Sequence, residues 1–475
     1  MLKINLNQNK HLKIFKLVSE AAAQNTQSAY IVGGYVRDLL MQRKEPTDID
    51  FVTESSGIKL AETVAENINP KPKVSVFKTY GTAMIKYQNL DLEFVGARKE
   101  SYTENSRNPE VEIGTLEDDQ KRRDFTINAM AISLGKENFG ELIDPFNGMQ
   151  DLSDKILRTP LEPVQTYSDD PLRMMRAIRF ASTLNFRIED NSLKAIKKEA
   201  KRIEIVSMER IMTEFNKIML SEKPSTGLSI LEKTGLFDII LPEITALKGI
   251  EEKEGQTHKD NFYHTLEVVD NISVNTDNLW LRWAALLHDV GKAPTKKFTP
   301  EQGWSFHGHE FLGSKMVKTL FQRLKLPLGA EMKYVQKMVK LSSRPIALIT
   351  DDTSDSALRR LLFDAGKDLE DLFTLCKADI TTKNSSKQKR FKKNFEYVEQ
   401  KIKEVEEKDH VRNFQPPISG EEIMEMFSLK PGKEIGILKE KVKEAILEGE
   451  IPNEKEAARN FVIDQASLIG VEIKK

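Results

Sequence analysis

Ile31-Val-Gly-Gly-Tyr-Val-Arg-Asp38 is followed, ten residues beyond its last aspartate, by Asp48-Ile-Asp50, and these two segments decide the fold of the chain. Ile31 and Val32 read as the end of a strand. Gly33 and Gly34 let the backbone turn tightly and approach a ligand, and a helix starting there offers N–H groups suited to a phosphate. Arg37 stands one turn into that helix, able to neutralise charge. In a strand, residues i and i+2 share a face, so Asp48 and Asp50 project side by side with Ile49 buried behind them. Two adjacent like charges repel unless a cation lies between them, and magnesium takes hard oxygens, often one or two carboxylates plus substrate phosphates. Alone, the first segment also fits a plain strand–helix turn and the second a solvent-facing acidic strand end; together they favour a cation site beside a phosphate.

Working outward, β-branched runs recur at 30–32, 49–53, 73–77, 83–87, 90–95 and 125–134, with helical patterns at 11–23 and 58–67. From about Pro171 the pattern turns helical and stays so, with amphipathic stretches at 172–184, 191–202 and 207–220 and no convincing strand. The chain is therefore expected to be α+β, with a strand-bearing head followed by an all-helical remainder. Breaks at Pro224–Ser225 and at 415–420 suggest a head over 1–150, a neck over 151–225, a body over 226–400 and a tail over 401–475.

At 475 residues the chain is too long for one compact core. Lys+Arg 72 against Asp+Glu 73 leaves a formal net charge of −1, so any nucleic-acid partner must be held by locally gathered basic residues. The runs 194–202 and 383–393 are candidates, with a solvated helix face as the plainer reading. Cys376 is the one cysteine; it cannot form an internal disulfide and reads as a small core residue. No stretch approaches a membrane span, and residues 1–10 lack the apolar core of a signal peptide, so a cytoplasmic protein is expected.

A third carboxylate lies in the alternating run Leu90-Asp-Leu-Glu-Phe-Val95, where Asp91 and Glu93 share one face. Either is a candidate to take a proton from an attacking hydroxyl or to complete the metal site. The run 125–132 alternates as a core strand does, leaving Arg122, Arg123 and Asp124 before it to face chemistry. Asn128 either binds a ligand or satisfies a backbone group.

Taken in order, Gly33-Gly-x-Val-Arg-Asp38, Asp48-x-Asp50, Arg122-Arg-Asp-Phe-Thr-Ile-Asn-Ala129, Asp144-Pro-Phe-Asn-Gly148, Asp169-Asp-Pro-Leu-Arg173 with Arg176 and Arg179-Phe180, and Glu209-Arg-Ile-x-x-Glu214 resemble the class II tRNA nucleotidyltransferases and their bacterial poly(A) polymerase relatives. One departure is visible: the family usually has glutamate where Asp169 stands, a change that keeps the charge. The resemblance implies a polymerase β-like head with a mixed sheet on a helical neck, body and tail, and template-independent addition of C, C and A to tRNA from CTP and ATP. It implies Mg2+ at Asp48 and Asp50, and favours Glu93 over Asp91 as the third catalytic acid. Triphosphate and ribose contacts fall to Gly34, Arg37, Arg123 and Asp124, and base contacts to Asp170 and Arg173, with Arg176 and Arg179 supporting the nucleotide. Family members that add the terminal A keep a mobile loop where this chain has the polar stretch 101–117, which argues against a CC-only enzyme.

Chemistry supports the base contacts. Ionised aspartate only accepts hydrogen bonds and arginine only donates. Cytosine and adenine each present an amino donor beside a ring-nitrogen acceptor, whereas guanine and uracil present a carbonyl beside a ring N–H. On one helix face, Asp170 and Arg173 would match the first pair and mismatch the second, at ~1–3 kcal/mol per unpaired group. Asp170 before Pro171 also has the form of a helix N-cap, as has Asp169, and Arg176 and Arg179 also fit a neck surface.

A second constellation lies further on. His264 falls in a helical stretch, His288-Asp289 follows the mostly apolar run 281–287, and Asp379 lies in another largely apolar helix, 372–380. This order, with Gly291-Lys292 after the pair, resembles the HD phosphohydrolase superfamily over about 255–385. Imidazoles plus a bridging carboxylate suit a divalent transition metal holding a water for phosphoester hydrolysis. His307 and His309 are further candidate ligands. The rival readings are a poly(A) polymerase, whose members usually carry a strongly basic C-terminal extension not seen here; a metal phosphohydrolase with a binding-only transferase half; and a non-catalytic RNA-binding protein.

Overall fold

The computed structural model describes residues 2–43, 47–101, 110–257, 260–348, 354–382, 384–409 and 415–468. It divides into two compact units, Met1–Pro242 and Glu243–Lys475. In the first unit the strands are β1 (Tyr30–Val32), β2 (Asp48–Thr53), β3 (Val74–Phe77), β4 (Thr82–Tyr87), β5 (Leu90–Gly96), β6 (Arg98–Ser101), β7 (Glu110–Ile113), β8 (Ala131–Ser133) and β9 (Leu142–Ile143). The helices are α1 (Leu12–Gln24), α2 (Gly34–Leu40), α3 (Gly57–Glu66), α4 (Leu116–Lys121), α5 (Thr126–Ala129), α6 (Gly148–Ser153), α7 (Pro163–Asp169), α8 (Leu172–Leu184), α9 (Asp190–Glu199) and α10 (Met208–Met219). Seven strands form one mixed sheet in the order β3-β4-β5-β2-β1-β8-β9, with β2 and β5 parallel and the other pairs antiparallel. The expected mixed-sheet head is present.

Strand alternation sorts the two faces. Ile49 and Phe51 of β2, Leu92 and Phe94 of β5, and Ala83 and Ile85 of β4 are buried in one cluster with residues of α1 and α3. Phe51 and Phe94 stack at 5.1 Å and 18°. Each such side chain, fully removed from water, contributes roughly 1.5–3 kcal/mol. The opposite face carries Asp48, Asp50 and Glu93, so the apolar face holds the acids in place.

Two local expectations are corrected. Residues 125–134 are not one strand: Thr126–Ala129 is a single helical turn and only Ala131–Ser133 joins the sheet. Side chains close that turn, since Asp124 Oδ1 accepts from Phe125 N–H at 2.9 Å and from Asn128 Nδ2 at 3.0 Å. Such bonds compete directly with a strand ladder. Within the expected loop over 101–117, residues 102–109 lie outside the described residues, while β6 and β7 on either side pair as an antiparallel hairpin.

Beyond Pro171 the first unit is helical apart from Arg187–Ile188, which pairs with Ile156–Leu157. The second unit is built from helices, among them Asn261–Ser273, Leu279–Leu287, His309–Arg323, Ala330–Leu341, Leu369–Asp379 and Ser385–Asp409. It also has two short hairpins, Glu252–Lys253 with Gln256–Thr257 and Lys297–Thr299 with Gly303–Ser305, strands too brief to leave a period-2 signal. Leu281 through Leu287 are all buried, as a helix apolar on every side must be. Cys376 is buried, as expected. Among the described residues no helix is long and apolar enough to cross a membrane.

Candidate active site and second metal centre

The parallel register of β2 and β5 sets Asp50 beside Glu93 and Asp48 beside Asp91. Asp91 lies 3.6 Å from Lys86 Nζ and so has a cation of its own. Glu93 does not share it. Burial pushes the Asp50 carboxyl up, Asp48 and Asp119 add to the rise, and Arg123 only partly offsets them. Burial and Asp50 likewise push Glu93 up, against Arg98. Acids raised by burial and by a neighbouring acid in this way are under-compensated, which is the electrostatic condition a bound cation relieves.

Gly33 closes β1 at φ 76° and ψ −142°, a conformation nearly reserved for glycine. A Cβ there would stand 3.1 Å from both Arg123 Nη1 and Asp50 Oδ2, so the turn brings the arginine and the acid together behind it. Arg123 is oriented from below by Asp119, which is fully buried. Asp119 accepts from Arg123 Nε at 3.0 Å and from Arg122 Nη2. On α2, Arg37 donates to both oxygens of Asp38 at 2.8 Å and to Asn128 Oδ1 at 2.8 Å.

Asp124 receives Arg176 at 2.7 Å through Nε and 2.6 Å through Nη2. Burial alone would push this carboxyl up; Arg176 and Asn128 outweigh it and hold it at about 2. One turn along α8, Arg179 Nε lies 2.5 Å from Glu214 of α10. The ring of Phe180 has three guanidinium groups around it, those of Arg179, Arg37 and Arg176 at 3.8, 5.0 and 5.6 Å. Each of those arginines has its own carboxylate.

The helix-face picture of Asp170 and Arg173 needs correction. Asp170 stands in extended conformation before α8, as a residue preceding proline must. Its Oδ1 accepts from Leu172 N–H at 3.2 Å, so the capping role is realised with one oxygen. Asp169 instead accepts from Gln165 at 2.5 Å. Arg173 donates to the carbonyls of Thr166 at 3.3 Å and Arg122 at 2.6 Å. These bonds tie the start of α8 to the segment carrying Arg123 and Asp124.

The second unit brings His264, His288 and Asp379 to within metal-sharing distance. Asp260 caps the helix that carries His264, accepting from Phe262 and Tyr263 N–H. His264 Nε2 lies 2.8 Å and His288 Nε2 3.4 Å from Asp379 Oδ1, while Asp289 Oδ2 lies 3.9 and 3.4 Å from the same two nitrogens. His288 donates from Nδ1 to Ala285 O at 2.8 Å, which turns Nε2 toward the carboxylates, buried and without a hydrogen-bond partner. That orphaned atom, with two acids beside it, fits a divalent cation. Burial would lower His288, but Asp289 and Asp379 outweigh it and hold the imidazole up at about 10, with both acids held low. His309 repeats the arrangement, with Nδ1 on Phe306 O at 2.9 Å and Nε2 3.6 Å from Asp289 Oδ1. His307 is exposed in the preceding turn. Lys292 Nζ lies 2.6 Å from Asp289 Oδ2.

Comparison with known proteins gives the family. Residues 29–158 match the poly(A) polymerase head domain, 185–248 the probable RNA- and SrmB-binding site of polymerase A, and 261–404 the HD domain. The A-adding tRNA nucleotidyltransferase of Deinococcus radiodurans is 34% identical, over 73% of this chain and 79% of its own. The CCA-adding enzyme of Bacillus velezensis is 30% identical over 91% and 93%. The chain belongs to the tRNA nucleotidyltransferase family. A solved tRNA nucleotidyltransferase, complexed with a primer tRNA and an incoming ATP analogue, superposes with a TM-score of 0.58 at 26% identity, covering 81% of this chain and 98% of that one. Dependence on a divalent metal follows from the family.

Against the family motifs, sequence reading missed the partners more than the principals. Asp119 was not singled out, although its spacing of three and four from Arg122 and Arg123, across the end of α4, is the signal for such a clamp. Asp38 holds Arg37 through both oxygens, a role its place in the motif does not announce. Asn128 joins Arg37 to Asp124, rather than serving a backbone group alone.

Proposed function

We propose that this chain adds C, C and A to the 3′ end of tRNA from CTP and ATP, without a nucleic-acid template, releasing pyrophosphate. The observation that carries the proposal is the parallel β2–β5 register, which sets Asp50 and Glu93 side by side on one face of the sheet. Asp48 and Asp50 would hold Mg2+, which when bound supplies charge neutralisation at the reacting phosphate. Glu93, raised by burial and by Asp50, is suited to take the proton of the attacking 3′-hydroxyl. Its oxygen bonds to the α-phosphorus as the bond to the leaving pyrophosphate breaks. Gly34, Arg37, Arg123 and Asp124 would meet the triphosphate and ribose, with Arg176 and Arg179 supporting the nucleotide. The free oxygen of Asp170 and the guanidinium of Arg173 read the amino group and ring nitrogen of C or A. We assign head, neck, body and tail to 1–150, 151–225, 226–400 and 401–475.

The test is extension of end-trimmed tRNA, one nucleotide at a time. CTP alone should add two residues, and ATP one more on the product. Long runs of A with ATP alone would make this a poly(A) polymerase. A single A on CC-ended tRNA, with CTP inert, would restrict it to A addition, as in the Deinococcus relative's name.

The second unit favours a further activity. His264, His288, Asp289 and Asp379 would hold a divalent transition metal and support phosphoester hydrolysis. Asp48→Ala should abolish nucleotide addition and spare that hydrolysis. Loss of both in a folded variant would overturn the two-site reading.

A further inference from the structure

Beyond the carboxylates, the sheet face they occupy continues to an exposed edge. Register follows it outward: Asp50 and Glu93 are followed by Met84 of β4 and Ser75 of β3, and the neighbouring row runs Val52, Val95, Thr82, Phe77. Phe77 therefore stands on the carboxylate face at the sheet's edge strand. At ~4.8 Å between strands and ~3.3 Å per residue, it lies roughly 12 Å diagonally from Glu93. It is 47% exposed, and Tyr80, in the turn just after it, is 68% exposed. The floor between Phe77 and Glu93 is uncharged, made of Met84, Ser75 and Thr82. Exposed Lys73 and Lys78 flank Phe77 along the chain. Lysines on an edge strand discourage pairing with another sheet, but that purpose does not call for two exposed aromatic rings on the same edge.

We propose that Phe77 and Tyr80 form a stacking platform for the single-stranded 3′-terminal bases of the RNA substrate, with Lys73 and Lys78 meeting its phosphates. The inference rests on the reading of this chain as an RNA-extending transferase. An aromatic face beside cationic groups is the combination that holds single strands without reading sequence. It suits an enzyme whose primer end changes at each addition. Phe77 shares its face with Glu93, so a base stacked on it leaves the neighbouring 3′-hydroxyl directed along the uncharged floor toward the acids.

The test uses the full chain and tRNA lacking its 3′ end. Phe77→Ala and Tyr80→Ala, singly and together, should raise KM for tRNA by about five- to a hundredfold, the range that stacking one base on one ring supports. KM for CTP and ATP should not move, and Phe77→Trp should retain the parental KM. An unchanged KM for tRNA in the double alanine variant, or an equal rise in KM for the nucleotides, would overturn the platform. A Phe77→Trp variant as poor as Phe77→Ala would do so too. If the parent chain extends no tRNA end, the reading of function fails and the platform with it; a parent that extends while the variants match it sinks the platform alone.

Discussion

Replacing Arg176 by methionine removes the partner of a buried acid and probes how the proposed nucleotide site is held together. Asp124 is held at about 2, against 3.8 for an ordinary aspartate. At ~1.36 kcal/mol for each tenfold change in proton affinity, the difference is about 2 kcal/mol of folding stability. Because the folded value is depressed, that stability is fully present above about pH 4 and is lost as pH falls from there toward 2. Arg176→Met withdraws it and leaves a buried carboxylate supported by the Phe125 N–H, Asn128 and the more distant Arg173. Removing one partner of a buried pair costs ~3–5 kcal/mol. Arg176 is itself 36% exposed, which places the cost at the lower end, about 3 kcal/mol. Hydrogen exchange reads this locally: amides of α5 and α8 should exchange about a hundredfold faster at neutral pH. The loss of stability between about pH 4 and 2 should shrink in the same variant. Trp280, Trp283 and Trp304, all in the second unit, supply a fluorescence control that should not move. Parental exchange rates in α5 and α8, with the acid transition unchanged, would refute the pairing as a source of stability.

At Gly33 an alanine must adopt φ 76° and place its Cβ 3.1 Å from Arg123 and Asp50. The strain is about 1–3 kcal/mol, and the displaced groups should lower the initial rate of CTP incorporation by about a hundredfold; a folded variant with the parental rate would contradict the geometry. His288→Ala should lower by one the number of Mn2+ ions bound at saturation in equilibrium dialysis, while CTP incorporation continues. An unchanged count of bound ions would remove the second centre.

Period-2 alternation was enough to place β2 and β5 and to set Asp48, Asp50 and Glu93 outward, because burial of one sheet face leaves a local trace. Nothing local says that β5 lies parallel to β2, so the pairing of Asp50 with Glu93, rather than with a residue of β1, was not legible. Phe125 to Leu134 misled because apolar residues buried by a one-turn helix and by a strand look alike over so short a run. Spacing and apolar context exposed His264, His288, Asp289 and Asp379, while the choice of His309 over His307 waited on the turn that aims one ring inward and the other to solvent. Asp119 went unnoticed because an acid near two arginines on a short polar helix looks like surface until burial is known.

The arginines around Phe180 each arrive already matched: Arg37 with Asp38, Arg176 with Asp124, Arg179 with Glu214. Seen from a Debye length away, ~8 Å in physiological salt, such couples nearly cancel. The pocket therefore does little to draw a polyanion in from solution. On the proposed nucleotide contacts, a triphosphate would gain those guanidinium hydrogens only by competing with a resident acid at contact, so discrimination would belong to the last few ångströms of approach, with long-range attraction left to lysines elsewhere on the surface.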